Sequence, residues 1–522
     1  MRTSKKLPLL GGLALGVSCA LGSTAHAADT WPSGGANLDN SRYQSTETAI
    51  SPKTVASLEL KWSIDTSGDV TANPAVDSKS VYFPDSAGFL YKVDRKSGAL
   101  IWKRPISDYT GIQGDYARGT PAIVGDTLIL GNQSGKLTSP APAHVFAVNA
   151  NTGAPLWSTQ VDPTIFSFVT HSPLVYGDMA YVGIASNEEL MAAFVPKAYW
   201  QWNFRGSVIA LNVKTGAIKW RTYTVPEGYY GGAVWGSTGA IDAKSNRLFM
   251  ATGNNYMVPE SVLNCLRGGG SPASCISPAD LFDSVISLDL TTGAVKWAAR
   301  GLSYDAWNVG CGLSVPGFVL PPNDNCPNPK GPDWDFAQGP LLTNGGGVGA
   351  GQKSGMFWNF DAKTGGLRWS TQAGPGGLTG GLQWGSATDG RRVYVGISNS
   401  GPTGGGQAPQ PWTLKDGRVT VAGGWAALDS KTGEVLWTTP DPNGSRAEAA
   451  VSVANDVVFG CNLDPAKGTM YALNAKTGAP LWSFDSGSAC NAGPSIADGM
   501  VFWGTGTFQS PVGAHKVFGF GF

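Results

Sequence analysis

The stretch Tyr471-Ala-Leu-Asn474-Ala-Lys-Thr-Gly478-Ala-Pro-Leu-Trp482 decides the fold, because its core pattern recurs along the chain. The pattern is Asp or Asn, three residues, Gly, three residues and Trp. Since glycine adopts positive φ without steric cost, each copy predicts a tight hairpin with the tryptophan on its second strand. Seven copies are present: Asp94-Gly98-Trp102, Asn149-Gly153-Trp157, Asn212-Gly216-Trp220, Asp289-Gly293-Trp297, Asp361-Gly365-Trp369, Asp429-Gly433-Trp437 and Asn474-Gly478-Trp482.

A degenerate eighth copy, Leu60-Lys-Trp62, lacks the turn. A further strand pair precedes each hairpin, as at Gly499-Met-Val-Phe502, so each repeat predicts four strands. Four strands in eight units indicate an all-β fold, an eight-bladed β-propeller. We expect the segments 53–65 and 516–522 to share one blade and close the ring. The Trp–Gly pairs are interpreted as packing between blades and not as a functional site.

Composition agrees with a fold of short strands and excludes one class of partner. The 522 residues include 72 Gly, 34 Pro and 19 Trp, and only 14% are charged. Glycine, proline and aromatic residues are typical of turns and strands. The 37 basic residues balance 37 acidic ones, so there is no basic surplus for binding nucleic acid.

The N-terminus has the pattern of a secretory signal peptide. Three basic residues within the first six precede the apolar run Leu7–Leu21 and the small-x-small site Ala25-His-Ala27. We therefore expect residues 1–27 to be removed and 28–522 to form one exported propeller domain, periplasmic or secreted. Cys19 leaves lipoprotein processing as an alternative. No later segment has 18 uninterrupted apolar residues, so no membrane span is expected.

Six cysteines remain after removal of Cys19, and an even number in an exported chain favours disulfides. Six cysteines allow fifteen connectivities. Proximity in the sequence favours three local pairs. They are Cys265–Cys275, Cys311–Cys326 and Cys461–Cys490. No CxxCH motif is present, so no c-type haem is expected on this chain.

The repeats and several short segments together resemble the pyrroloquinoline-quinone (PQQ) alcohol dehydrogenase family over essentially the whole mature chain. The segments Asp305-Ala-Trp-Asn308 and Pro332-Asp-Trp-Asp-Phe336 are most similar to those of members that oxidise poly(vinyl alcohol). The resemblance implies an exported enzyme that uses PQQ and a calcium ion to oxidise a secondary alcohol to a ketone. Its electrons would pass to a separate carrier such as a cytochrome c.

The resemblance also assigns residues to the cofactor. PQQ is a flat tricarboxylate, so it needs an aromatic surface, cations and polar partners. Residues matching the family's PQQ contacts lie in motifs such as Arg118-Gly119 and Thr170-His-Ser-Pro173. The candidates for PQQ binding are Arg118, Thr170, Trp235, Lys353, Trp384 and Asn399.

Calcium prefers oxygen ligands, and the resemblance supplies three. Glu188 ends the segment Gly183-Ile-Ala-Ser-Asn-Glu188, with Glu189 as an adjacent rival, and Asn254 follows a predicted strand. Asp305 is the third candidate ligand. Family members carry an aspartate as proton acceptor where this chain has Asn308, which is not a base. Asp305 is therefore also the candidate catalytic base.

Two other functions remain open from the sequence. A non-enzymatic propeller that acts as a scaffold would carry the same repeats. A quinoprotein acting on small primary alcohols or sugars would carry the same site, because substrate choice resides in loops. A dinucleotide-binding glycine motif between a strand and a helix is absent, so NAD is not expected.

Overall fold

The computed structural model describes residues 1–3, 29–133, 140–315, 318–400, 409–507 and 513–522. The predicted signal peptide lies outside these ranges apart from its first three residues, so its removal stays a prediction. None of the helices in the described ranges is long and apolar enough to cross a membrane.

Eight four-stranded antiparallel sheets form the blades, and the predicted eight-bladed propeller is confirmed. In blades 1 to 7 the strands run from the innermost to the outermost in chain order. Blades 1 to 4 comprise Ala75–Val76, Ser80–Pro84, Phe89–Asp94 and Leu100–Pro105; Ala122–Val124, Thr127–Gly131, His144–Asn149 and Pro155–Gln160; Leu174–Tyr176, Met179–Ser186, Ser207–Asn212 and Ile218–Tyr223; Ala240–Asp242, Arg247–Ala251, Ser284–Asp289 and Val295–Arg300.

Blades 5 to 7 repeat this arrangement, and blade 8 draws its outermost strand from the N-terminal part of the chain. Their strands are Leu341–Thr343, Gly347–Gly351, Met356–Asp361 and Leu367–Gln372; Ala387–Thr388, Arg392–Ile397, Gly424–Asp429 and Val435–Pro440; Ser452–Ala454, Val457–Cys461, Thr469–Asn474 and Pro480–Asp485; Ser495–Ala497, Met500–Gly504, Lys516–Gly521 and Glu59–Asp65.

Blade 8 closes the ring as the sequence predicts. The strand Glu59–Asp65 pairs antiparallel with Lys516–Gly521, in the register Glu59 to Gly521 and Asp65 to Lys516. The short strand Tyr43–Gln44 adds in parallel to the innermost strand of blade 7. Both ends of the chain therefore contribute to the ring, which leaves no open gap between the first and last blades.

The repeat tryptophans join each blade to the next. The Trp437 indole Nε1 donates to the Ala475 carbonyl at 3.0 Å, and a Cβ on Gly478 would lie 2.5 Å from the Trp437 ring. Gly478 has φ +73°, so glycine is needed there both for the turn and for the indole. The degenerate copy follows the rule, since Trp62 donates to Arg95 O. Trp482 donates to Leu58 O across the closure.

Helices and minor strands lie in the connections between and within blades. The α-helices are Ser107–Thr110, Glu188–Met191, Glu260–Arg267 and Pro272–Cys275, and the 3-10 turns are Val55–Ser57, Lys197–Tyr199, Ala243–Ser245 and Val309–Cys311. The remaining strands are Ser167–Phe168, Tyr230–Gly231, Asn255–Met257, Leu313–Val315, Phe318–Leu320, Trp412–Thr413 and Val419–Thr420.

The three expected disulfides are present. Cys265 pairs with Cys275, Cys311 with Cys326, and Cys461 with Cys490. The first joins the helix Glu260–Arg267 to the short helix that follows it. The second closes a loop in the long connection between blades 4 and 5, beside the face that carries the candidate site.

Candidate functional site

One face of the propeller carries the loops that enter the innermost strands. Because the strands are antiparallel, the ends of the second strands lie on the same face. We call it the site face. A pocket of about 450 Å³ opens there. Five of the predicted PQQ contacts line it: Arg118, Thr170, Trp235, Lys353 and Trp384.

Two tryptophans give the pocket its aromatic surface. The Trp235 and Trp384 rings meet edge to face, with centroids 5.5 Å apart and planes at 72°. The Arg118 guanidinium lies 4.8 Å from the Trp384 ring centroid, and the Lys353 ammonium lies 5.3 Å from that of Trp235. The pocket therefore offers flat apolar surface and two cations, as a planar polycarboxylate requires.

Trp384 is held in a strained backbone conformation. Its φ is +61°, which is rare for a bulky residue and costs about 1–3 kcal/mol. Its indole Nε1 donates to Glu448 Oε1 at 3.1 Å. A Cβ on the next residue, Gly385, would lie 2.4 Å from Arg42 Nε. Together these contacts hold the Trp384 ring in one position at the pocket.

Lys353 is buried between two carboxylates of the segment Pro332–Phe336. Its Nζ donates to Asp333 Oδ1 at 3.0 Å and to Asp335 Oδ2 at 2.9 Å. Burial acts to lower the pKa of Lys353, but the negative charges of Asp333, Asp335 and Glu189 outweigh it and raise that pKa. Lys353 therefore stays a cation at any physiological pH.

Asp335 joins three elements of the site, and the sequence did not identify it as a site residue. Besides Lys353, its Oδ2 accepts from Trp235 Nε1 at 3.0 Å. Its Oδ1 accepts from the Asn254 backbone N–H at 2.6 Å. Asp335 therefore fixes one tryptophan and one cation of the pocket together. The only sequence signal for Asp335 is the segment Asp333-Trp-Asp335, which indicates the family resemblance but assigns no role to either aspartate.

The two adjacent glutamates face different surroundings. Glu189 lines the pocket, and its buried Oε1 has no hydrogen-bond partner. Burial raises the pKa of Glu189 to about 8, although Lys353 acts to lower it. Glu188 is not among the residues that line this pocket. Its Oε2 accepts from the backbone N–H groups of Asn203 and Phe204 at 3.1 and 3.0 Å.

Asn254, the second metal ligand predicted from the sequence, is fully buried and is not among the residues that line the pocket. Its Nδ2 donates to the Trp307 carbonyl at 2.9 Å, and its N–H is bound by Asp335. The amide group is thus held in one orientation beside Asp335.

Asp305 is completely buried and is not among the residues that line the pocket. Its Oδ1 and Oδ2 accept from the backbone N–H groups of Asp333 and Trp334 at 3.2 and 2.8 Å. Burial raises the pKa of Asp305 to about 7, partly offset by these hydrogen bonds. This geometry fits a residue that positions the Pro332–Phe336 segment.

Asn308, where the resemblance leads one to expect an aspartate base, is hydrogen-bonded to the surrounding loops. Its Nδ2 donates to the carbonyls of Tyr256 and Asn325, both at 2.9 Å. Its Oδ1 accepts from the Gly310 N–H at 2.8 Å. An amide makes all three bonds, whereas a carboxylate has no hydrogen to donate to the two carbonyls.

Asn399 follows the second strand of blade 6, yet it does not line the pocket. Its Nδ2 donates to the Gln410 and Val421 carbonyls, both at 2.8 Å, and its Oδ1 accepts from Gln410 N. The amide therefore holds backbone segments together. Thr170, in contrast, lines the pocket and donates to Gln133 Oε1 at 2.9 Å.

The donor set suits PQQ and a hard cation. Arg118 and Lys353 match carboxylates, the tryptophans match a planar ring system, and the unpartnered Glu189 oxygen is a hard donor. Over the described ranges no group of three or more His, Cys, Asp or Glu is arranged to bind a metal ion. Amide, backbone or cofactor oxygens would therefore have to complete the coordination of a cation at Glu189.

Comparison with known proteins places these features in a family. The family model PQQ_2, described as outer membrane protein assembly factor BamB, matches residues 48–143, 140–297 and 422–509, which is more than half of the chain. The polyvinylalcohol dehydrogenase of Sphingopyxis sp. (strain 113P3) is 27% identical over 524 residues, covering 91% of this chain and 72% of that protein.

Two further comparisons agree. The quinohemoprotein alcohol dehydrogenase ADH IIB of Pseudomonas putida is 26% identical over 57% of this chain and 44% of its own length. The crystal structure of the quinohemoprotein alcohol dehydrogenase from Comamonas testosteroni superposes with a TM-score of 0.68 at 19% identity, covering 95% of this chain and 81% of that one. The structural likeness supports the propeller fold.

Proposed function

Because the chain belongs to the PQQ-dependent alcohol dehydrogenase family, we propose that it oxidises an alcohol with PQQ held in the pocket on the site face. The observation that carries the proposal is the convergence of two tryptophans, two cations and an unpartnered carboxylate oxygen in one pocket. A scaffold has no need for a buried lysine held between two aspartates beside such an oxygen.

PQQ, when bound, supplies an acceptor for the two electrons and the hydrogen removed from the alcohol carbon. Arg118 and Lys353 would bind its negative groups, and Trp235 and Trp384 would contact its ring and exclude water. Thr170 adds a hydroxyl. We assign Asn399 a structural role in place of a PQQ contact, because its amide is occupied by backbone groups.

We also propose a calcium ion in this pocket, with Glu189 as its carboxylate ligand in place of Glu188 and with Asn254 close by. The motive is the free, buried Glu189 oxygen. Asp305 then positions the Asp333–Asp335 segment rather than touching the cation. The alcohol proton needs an acceptor within hydrogen-bond reach, and the carboxylates that line the pocket are those of Glu189 and Asp335.

For the substrate we propose a secondary alcohol on an uncharged chain such as poly(vinyl alcohol). Two more pockets, of about 470 and 650 Å³, adjoin the site on the same face. Leu378 is shared by the site pocket and the first, and Trp334 by the first and the second. Their linings are mainly apolar, with only Lys330 and Lys415 charged. A continuous, nearly uncharged surface suits a neutral polymer.

We propose that the protein is exported, with residues 1–27 removed, and that it passes electrons to an external cytochrome c. The signal pattern and the three disulfides support export. An external acceptor follows from the missing haem-attachment motif. Mass spectrometry of the exported protein tests the first point, since the mature chain is expected to begin at Ala28.

The activity is tested by adding PQQ with CaCl₂ to the cofactor-free protein and following dye reduction. The panel contains poly(vinyl alcohol), a small secondary alcohol, a primary alcohol and an aldose. We expect turnover on secondary alcohols, with the polymer giving the highest kcat/KM. Turnover on the primary alcohol or the aldose alone would contradict the proposed secondary-alcohol substrate and would favour a small alcohol or a sugar. Binding of PQQ without turnover on any of the four would refute the proposed activity.

A further inference from the structure

A second, smaller cavity of about 30 Å³ lies next to the proposed PQQ pocket. Arg118, Thr170 and Trp384 line both. Its other walls come from the loops that enter the innermost strands of blades 1, 3, 4, 7 and 8, at Asn73, Ser172, Ser237, Ala450 and Asn491. Loops from blades all around the ring meet only at its centre, so this cavity lies on the propeller axis.

The cavity is lined by two arginines and by no acidic residue. Arg42 is 1% exposed and forms no ion pair with any residue in the described ranges. Its Nη1 donates to Asn73 Oδ1 at 3.1 Å, and its Nη2 donates to Ser237 Oγ at 3.3 Å and to the Trp384 carbonyl at 3.4 Å. These acceptors are neutral, and the Nε–H has no partner.

A buried guanidinium without a counter-charge is costly. Burial alone lowers the pKa of Arg42, to about 10, because no nearby carboxylate opposes the effect. The charge is nevertheless retained at neutral pH. Arg95 provides the contrast within this chain, since it is also buried but pairs with Asp498 at 2.7 Å. Arg42 therefore has the charge and lacks the carboxylate partner that Arg95 has.

The remaining lining supplies further donors. Ser172 Oγ accepts from the Thr120 N–H at 2.8 Å, and Ser237 Oγ accepts from Arg42, so each hydroxyl keeps its own hydrogen to donate. A guanidinium has five N–H groups, and three of those on Arg42 are used. The volume exceeds the roughly 10–15 Å³ that a single water needs, which leaves room for one small ion.

We infer that this axial cavity binds one small inorganic anion of the halide class, between Arg42 and Arg118 and against the hydroxyls of Ser172 and Ser237. The anion would neutralise Arg42, whose Nη2 donates to the Trp384 carbonyl. It would thereby help to hold the strained Trp384, whose ring lines the PQQ pocket. The anion site shares three residues with the proposed PQQ pocket, but it does not require PQQ to be bound, so it is testable in the cofactor-free protein.

Bromide anomalous diffraction tests the position directly. Crystals of the full mature chain, with and without PQQ, are soaked in NaBr. We expect one anomalous peak in the axial cavity in both. A cavity that holds only water, or that receives a carboxylate of PQQ in place of bromide, would overturn the inference.

Thermal unfolding tests the energetics in solution. The cofactor-free protein is compared in sodium chloride and in sodium gluconate at equal ionic strength, because gluconate is too large for the cavity. We expect chloride to raise Tm by about 2–5 °C in a saturable manner. The shift should disappear in Arg42→Gln and persist in Arg95→Gln. If Arg42→Gln does not fold, Ser237→Ala should raise the half-saturating chloride concentration. Equal Tm values in both salts would contradict the inference.

Discussion

Glu188 and Glu189 are chemically identical and adjacent, yet only Glu189 presents a free carboxylate oxygen to the pocket. Glu188 instead binds two backbone N–H groups. The sequence identifies both glutamates as candidate metal ligands but does not show which of them faces the pocket. Neighbouring side chains on a helical turn point in different directions, and the motif alone does not fix those directions. Burial and hydrogen-bond partners decide between them.

Replacement of Glu189 by Gln should raise the calcium concentration for half-maximal activity by at least about 10–100-fold. The reason is the loss of the one pocket carboxylate with a free oxygen. Glu188→Gln is the matched control, since its amide carbonyl still accepts the two N–H bonds and calcium dependence should change little. Calcium titration at saturating PQQ measures both. A larger effect in Glu188→Gln would restore the assignment made from the sequence.

Asp305→Asn separates positioning from catalysis. Asp305 accepts the N–H groups of Asp333 and Trp334, so the variant should weaken PQQ and calcium binding by loosening the Asp333–Asp335 segment. Saturating both should then restore turnover to within about tenfold of the wild type. A general base lost outright costs about 10²–10⁴ in rate at saturation. A deficit of that size would make Asp305 the base after all.

Asn308→Asp introduces the aspartate that the family resemblance leads one to expect at this position, but it should destabilise this protein. The carbonyls of Tyr256 and Asn325 lose their donors and face a carboxylate. A buried polar group left unpaired costs about 1–3 kcal/mol. Chemical denaturation should show a loss of at least that amount, while Asn151→Asp, in an exposed turn, should show almost none. If Asn308→Asp gained activity without losing stability, position 308 would accommodate an aspartate that acts as the base.

The connection between blades 4 and 5 carries much of the site, and its structure was not predictable from periodicity. The Asp/Asn-Gly-Trp repeat predicts the strands of the blades. The segment 301–340 contains no such repeat, so the sequence assigns no role to Asp333 or Asp335. In the structure both carboxylates accept hydrogen bonds from Lys353. Loop residues depend on long-range contacts, which local sequence does not encode.

The Cys311–Cys326 disulfide braces this connection. Cys311, Trp307, Val309 and Leu378 pack in one apolar cluster next to the pocket. Replacing both cysteines by Ser should lower PQQ affinity several-fold and lower stability by about 3 kcal/mol, the chain-entropy value for a loop of about 15 residues. Tryptophan fluorescence titration with PQQ measures the first and urea unfolding the second.

The matched control replaces Cys265 and Cys275, which join two helices away from the pocket. That variant should lose stability and keep its PQQ affinity. Equal loss of PQQ affinity in the two double variants would mean that the Cys311–Cys326 disulfide affects PQQ binding only through the stability of the whole protein.

The whole ring follows from the sequence because eight tryptophans each dock on the next blade. Even the degenerate copy at Trp62 donates to the following blade, and Trp482 completes the circle across the closure. The repeat therefore predicts the blade number and the closure of the ring, whereas the three local disulfides are predicted from the proximity of the cysteines in the sequence. The family resemblance predicts six PQQ contacts, and five of them line one pocket, because the loops of successive blades meet near the axis.

The central claim is that this pocket makes the protein a PQQ-dependent dehydrogenase. Titration of the cofactor-free protein with PQQ in CaCl₂ tests it, with bound PQQ and dye-linked turnover of a secondary alcohol measured in the same samples. We expect no turnover without PQQ, then a linear rise that ends at one PQQ per chain, and reversible loss with EDTA. Full activity in a preparation proven free of PQQ, or no PQQ binding at all, would contradict the account.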